Sequence, residues 1–200
     1  MTKKEKLKKL KEKMLKADLP LKKGATTLVF GHGNENAEMM FIGEGPGYWE
    51  DLKGLPFVGN AGVLLNKLLG LIGIKREEVF ITNVVHYRPP NNRDPMPEEL
   101  EAFGEYLDEM IRIIDPKVIV TLGRFSMAKF IPGVYISAVH GKPHQVKWDG
   151  KNILVIPMYH PAASLRNGQI LKKEKEDFMR LPKLLEEFGG TKQTSYYTNE

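Results

Sequence analysis

The chain has no cysteine in its 200 residues. Disulfides, thiolate metal ligands and a thiol nucleophile are therefore excluded. No apolar run reaches the ~18 residues of a membrane span, and the lysine-rich N-terminus has no apolar segment behind it, so it does not read as a secretory signal. These absences point to an intracellular protein with no membrane partner. A uniformly basic body is missing too. The formal net charge is +5, but residues 1–16 hold eight lysines and two glutamates, which leaves 22 basic and 23 acidic groups in the rest. The high pI belongs to one segment, so any case for nucleic acid must rest on local arrangement. Internal repeats are lacking as well. What remains, 42% hydrophobic over this length, predicts one domain over residues 1–188 and a polar C-terminal tail over 189–200.

The most informative stretch is Gly43 to Gly62, with six glycines, two prolines and three aromatics. It follows the apolar run Met39–Ile42, read as a buried strand, and ends where Val63–Ile72 takes up helical spacing. A connector of that length inside a domain is functional or disordered, and its aromatic content argues for function. Glycines let a backbone approach a flat ligand, and aromatics supply a face to stack on.

Along the chain, Leu7, Leu10, Met14 and Ala17 share one face of a lysine-covered amphipathic helix over 3–17. That helix reads either as an apolar stripe docked beneath a solvated lysine face or as a helix lying near phosphates. Thr26–Phe30 is predicted as a short edge strand and Gly31–Asn36 as a turn, with His32 exposed. Further strands are expected at Glu78–Val85 and Lys117–Leu122, and a hairpin over Val146–Ile156 turning at Asp149-Gly150. Helices are expected over Pro97–Ile114, where Glu98 and Glu99 suit the first turn, over Arg124–Phe130 and over about Leu171–Phe188. Val134–Gln145 reads as irregular. Strand–helix alternation predicts an α/β fold, a three-layer α/β/α with a central, mostly parallel sheet of about four strands. Loops at the carboxyl ends of its strands then gather at one edge: the 43–62 stretch, Asn83 onward, and His160 onward.

Gly43-Glu-Gly-Pro-Gly47 with Glu50-Asp51, Pro56-Phe-Val-Gly59 and Ala61-Gly62 resembles the first motif of the family-four uracil-DNA glycosylases. Thr82-Asn-Val-Val85 with Arg88-Pro-Pro90 and Asn92-Arg93 resembles their second block. Val118–Gly123 is similar to their third strand, and His160-Pro-Ala-Ala-Ser-Leu-Arg166 to their last motif. The resemblance runs in order over about residues 16–185. It implies a monofunctional DNA glycosylase that flips deoxyuridine out of single- or double-stranded DNA, hydrolyses its N-glycosidic bond and so initiates base excision repair. Such a protein would act as a nucleoid-associated monomer; a sliding-clamp partner stays open.

On that resemblance the base pocket falls to Gly43, Glu44, Gly45, Phe57, Asn83 and His160. Phe57 would stack on uracil, and Asn83 would donate to O4 and accept from N3–H, a pattern that cytosine reverses. His160 would steady charge on O2 as the bond breaks. Glu50 would orient water or exclude a thymine methyl, and Glu44 would lie beside base and sugar. Gly45 stands where other glycosylase families carry a base-activating aspartate. Gly59, Asn60 and Gly62 would meet phosphates through backbone N–H groups. In the Ser164-Leu165-Arg166 tip, Leu165 would enter the DNA as a wedge and Arg166 would meet a phosphate.

The family holds an iron–sulfur cluster on four cysteines. Here Lys16, Leu19, Tyr87 and Phe103 fall on those positions, so the expectation is no cluster and an apolar plug in its place. His86, His140 and His144 match no motif; the last two are four apart in an irregular stretch, which argues against metal. Competing readings are a glycosylase for hypoxanthine or mismatched thymine and a non-catalytic module that binds damaged DNA. A dinucleotide site on Gly43-x-Gly45-x-Gly47 is disfavoured, because prolines rather than a helix follow.

Overall fold

A computed structural model describes residues 1–188; the tail expected over 189–200 lies outside them. Among the described residues six strands form one sheet, in the order β1-β3-β2-β4-β6-β5. They are β1 (His32–Gly33), β2 (Met39–Gly43), β3 (Phe80–Asn83), β4 (Val118–Leu122), β5 (His144–Trp148) and β6 (Lys151–Met158). The four central strands are parallel, and β1 and β5 close the two edges antiparallel. The sheet thus has the expected parallel centre, plus two edge strands.

Strand alternation divides the core into two layers. Met40 and Ile42 of β2 face a cluster built from α1 (Lys3–Lys16), α4 (Pro97–Ile114) and α5 (Arg124–Phe130). Met39 and Phe41 face another, built from α3 (Asn60–Leu71) and α8 (Gly168–Phe188). Helices on both faces give the three-layer α/β/α architecture. The short helices α2 (Tyr48–Lys53), α6 (Ile136–Val139) and α7 (Pro161–Ser164) complete the set. α1 docks by Leu7, Leu10 and Met14 and leaves most of its lysines in solvent; its N-terminus carries a capping box between Thr2 and Glu5.

Three local expectations are corrected. Thr26–Phe30 is not a strand. The Thr26 and Thr27 amides donate to the Asp51 carboxylate at 2.9 and 3.1 Å, and Val29 pairs with the His86 backbone, so the segment is held without a ladder. The edge strand lies one step on, at His32–Gly33, inside the expected turn. The 43–62 connector is also more ordered than a loop, since it contains α2 and the first turn of α3. The hairpin turns at Asp149-Gly150 as expected, both residues having positive φ (50° and 78°), as a type I′ turn requires.

Chain order reverses at β2: β3 lies on one side, β4 and β6 on the other. Such a switch point opens a crevice at the carboxyl ends of the strands, and the cleft described next occupies it.

Candidate active site

Glycine sets the floor of the cleft. Gly43 ends β2, and a Cβ there would lie 2.5 Å from Asn83 Oδ1 and 2.6 Å from the Phe57 ring. The amide and the ring therefore close on one point from two different segments. Asn83, paired with Gly43 across the parallel ladder, is buried, and its Oδ1 has no hydrogen-bond partner among the described residues. A buried acceptor left open is costly unless something else meets it.

Phe57 is held in an unusual conformation. Its φ is +51°, a left-handed backbone that a bulky residue adopts only under constraint. Three devices impose it. Gly62 leaves no room for a side chain, since a Cβ would sit 1.9 Å from the Phe57 carbonyl oxygen. Arg76 donates to that carbonyl at 2.9 Å and also to the Pro56 carbonyl. The Glu50 carboxylate accepts from the Val58 and Gly59 amides, both at 2.8 Å.

The Phe57 ring stacks on His160, with centroids 5.6 Å apart and planes at 29°. His160 is the N-cap of α7, and its Nδ1 accepts from the Ala162 amide at 3.1 Å. That bond leaves the proton of the neutral ring on Nε2. Burial pushes its pKa down to about 4, against a smaller upward pull from Glu50. At neutral pH the ring is an uncharged N–H donor.

Glu44, Gly45, Glu50, Phe57, His160 and Arg166 all line one cleft of about 370 Å³, within the size range of small-ligand sites. Burial raises the Glu44 carboxyl above its ordinary pKa, Asp94 adds to this, and Arg124 opposes it. Arg124 and Asp94 pair with each other at the rim. Arg93, also on the cleft, is committed to Glu99 through two bonds of 2.6 and 2.9 Å.

The structure thus brings Gly43, Glu44, Gly45, Glu50, Phe57, Asn83 and His160 together. The expected DNA contacts fare unequally. Leu165 is 51% exposed, and Arg166 is exposed beside it. Ser164 is corrected: it is buried, turned toward the Glu174 carboxyl, and cannot reach DNA from there. Gly59 cannot offer its N–H to a phosphate, because Glu50 holds it. Gly62 is buried under Phe57, which leaves Asn60 as the exposed member of that trio. Arg76 and Glu174 were not singled out from sequence, because both sit in charged runs, Lys75-Arg-Glu-Glu78 and Lys172-Lys-Glu-Lys-Glu176, that look like solvated surface.

Histidines outside the cleft have other partners. His86 is fully buried, donates from Nδ1 to the Val29 carbonyl at 3.1 Å, and has its pKa lowered to about 4 by burial. His140 pairs with Asp177 at 2.5 Å and packs against Tyr159. Among the described residues no group of three or more His, Asp or Glu side chains could hold a metal ion. At the positions that the resemblance assigns to cluster cysteines, Leu19, Tyr87 and Phe103 are buried in one apolar cluster, and Lys16 is exposed. None of the four offers the thiolate sulfur that holds an iron–sulfur cluster.

The sequence profile of the uracil DNA glycosylase superfamily matches residues 30–198. The chain is 48% identical over 183 residues to a type-4 uracil-DNA glycosylase of Archaeoglobus fulgidus, a match that covers 88% of this chain and 89% of that one. It is 48% identical over 166 residues to the type-4 enzyme of Sulfurisphaera tokodaii, covering 80% and 75%. With that of Pyrobaculum aerophilum it shares 40% over 190 residues, covering 92% and 94%.

Proposed function

The chain belongs to the uracil DNA glycosylase superfamily, and from that premise we propose that its cleft hydrolyses the N-glycosidic bond of deoxyuridine in DNA. The enzyme is a monofunctional glycosylase acting as a monomer. The observation that carries this is a stacking ring and a neutral imidazole in one cleft, with an open amide acceptor converging on the ring at Gly43.

A base buried in a duplex must first leave the stack. Leu165 enters the space it vacates, while Arg166 and Asn60 hold the backbone on either side. The flipped uracil lies against Phe57. Asn83 Oδ1, unpartnered in the free protein, accepts from N3–H, and its NH₂ donates to O4. Cytosine offers an acceptor where uracil offers N3–H, so binding it would leave the buried Oδ1 unpaired. A site built in this way discriminates by ~10⁴–10⁵.

As the C1′–N1 bond stretches, negative charge gathers on the base and positive charge on the sugar. His160, fixed as the Nε2–H tautomer, donates toward O2, where an aligned donor is worth about 10²–10³ in rate. A neutral donor costs no proton transfer at the start. One Glu50 oxygen is committed to the loop amides, and the other faces Gly47 and the cleft, where it can orient water toward the electron-poor sugar carbon. Glu44 lies beside it.

No step is routed through an iron–sulfur cluster. In its place Leu19, Tyr87 and Phe103 tie the segment after α1 to the chain beyond β3 and to α4, the last two rings lying 6.2 Å apart. Buried area at ~25 cal/mol per Å² replaces metal–ligand bonds.

The test is cleavage of a uracil-containing oligonucleotide by the wild type, Asn83→Ala and His160→Ala. The wild type is expected to release uracil. Each substitution is expected to lower the single-turnover rate by at least ~10² in a protein with an unchanged circular dichroism spectrum. Wild-type activity that survived both substitutions would overturn the assignment.

A further inference from the structure

The helix α2 is inverted with respect to its chemistry. Its two acids are inside: Glu50 accepts from the Val58 and Gly59 amides, and Asp51 from those of Thr26 and Thr27. Its rings are outside, with Tyr48 51% exposed and Trp49 54%. An amphipathic helix ordinarily buries the second set and exposes the first. Each ring keeps about half of its surface in solvent, and the pair has a definite arrangement. Their centroids lie 5.2 Å apart and the planes meet at 79°.

One neighbour of the pair favours anions, and the other joins it to the cleft. On one side the Arg88 guanidinium lies 5.3 Å from the Tyr48 ring centre, a cation–π distance. Its Nε donates to Asn92 Oδ1 at 2.7 Å, and Asn92 lines the cleft. Arg88 has no carboxylate partner among the described residues, so its charge is uncompensated at this rim. On the other side Trp49 reaches the start of α3: a Cβ on Gly59 would lie 3.5 Å from Trp49 Cδ1. Gly47 and Glu50, flanking the pair in sequence, line the cleft itself. The rings are therefore continuous with the pocket and have one place suited to phosphate, at Arg88, beside them.

We propose that Tyr48 and Trp49 form a second binding site that stacks an unpaired nucleobase next to the flipped uracil on the same strand. The proposal rests on the cleft being the uracil site. The ligand class follows from the chemistry. A nucleobase offers a flat face of matching size, and its phosphates offer the charge that Arg88 lacks. In a duplex both faces of a paired base are already covered by its neighbours, so the rings serve an unpaired strand and bias the enzyme toward single-stranded DNA or frayed ends.

The experiment compares wild type, Tyr48→Ala, Trp49→Ala and Trp49→Phe. Binding of a uracil-free oligothymidine and of a uracil-free duplex of equal length is followed by fluorescence anisotropy of labelled DNA. Both rings are exposed, so the variants are expected to keep the wild-type melting temperature. Each alanine variant is expected to raise Kd for the single strand by about tenfold, the scale of one lost base–aromatic stack. Trp49→Phe is expected to recover most of the loss, and the single-strand preference over duplex is expected to fall by the same factor. On a uracil-containing single strand the loss is expected to appear in KM. Wild-type Kd in both alanine variants would overturn the proposal. So would an equal loss on strand and duplex, or a change in oligomeric state showing that the rings meet a second copy of the chain. Because the binding probes contain no uracil, a wild type that bound them through Trp49 but released no uracil would refute the glycosylase reading and not the stacking site.

Discussion

At the scale of single residues, the chemistry depends on groups held in one protonation state or one conformation. His160 has its pKa lowered to about 4 by burial, so the imidazole is neutral at physiological pH. An ordinary histidine would titrate near 6.5. The expected outcome is a single-turnover rate with no inflection at 6.5, and His160 ring protons whose NMR shifts stay constant from pH 8 to about 5.5. An inflection at 6.5 that vanished in His160→Ala would contradict the assigned state. Arg76 acts at one remove from substrate, through the Pro56 and Phe57 carbonyls. Arg76→Ala leaves two carbonyls of a strained turn unpaired and is expected to cost about 1–3 kcal/mol in urea denaturation. Uracil binding should weaken as well, because the Phe57 ring is no longer fixed.

At the scale of elements, the loop–helix junction from α2 to α3 works as a clamp. Glu50 holds the two amides that lead into α3, and Gly62 in its first turn accommodates the Phe57 carbonyl. Gly62→Ala forces the helix and the turn apart, and overpacking of this kind costs about 1–3 kcal/mol. The variant is expected to melt lower and to lose activity, whereas Gly70→Ala in the same helix, where a Cβ meets nothing within 4 Å, should lose neither. The second junction is α7 on α8. Ser164 turns inward over Glu174, whose two oxygens are buried and complete no hydrogen bond. Burial, reinforced by Asp177, pushes this carboxyl up to about 7 against the opposing contact with Ser164. The folded chain then holds a proton that the unfolded chain releases above 4.5, so folding is penalised increasingly as pH rises from 4.5 to 7. Glu174→Gln is expected to match the wild type near pH 5 and to exceed it at pH 8, by at most about 3 kcal/mol, as read from melting temperatures across that range.

At the scale of the whole molecule, the buried histidines set the opposite slope. His86 is neutral in the fold down to about pH 4, but an unfolded chain protonates it below 6.5. Between those values the unfolded state binds more protons, so stability rises with pH and falls on acidification. The contribution is about 3 kcal/mol across the window. The urea midpoint of the wild type is expected to drop between pH 6.5 and 4.5, and His86→Phe, if it folds, to flatten that drop. The plug at Leu19, Tyr87 and Phe103 also belongs to this scale, because it joins three separate segments. Phe103→Ala is expected to cost about 3–5 kcal/mol, and urea denaturation checks it.

The sequence by itself determined the layers of this protein. The continuous apolar runs at β2 and β4, the 3.6-residue stripes of α1 and α4 and the Asp149-Gly150 turn are local signals, and local propensity agrees with the fold at each. It also determined which glycines and which His-Pro step mark the cleft, because those residue types answer to backbone geometry. Tertiary structure decided the rest. Thr26–Phe30 carries strand residues but lost its ladder to the Asp51 carboxylate, a partner about 25 positions away. Ser164 reads as a polar loop tip and is buried, since only the docking of α8 places Glu174 beneath it. Glu50 and Asp51 belong to a site motif in the sequence, and only the approach of the Val58 and Thr26 amides turned them inward and Tyr48 and Trp49 out. Hydrogen bonds made across such separations leave no periodicity in the chain, and for that reason they appear only when it is folded.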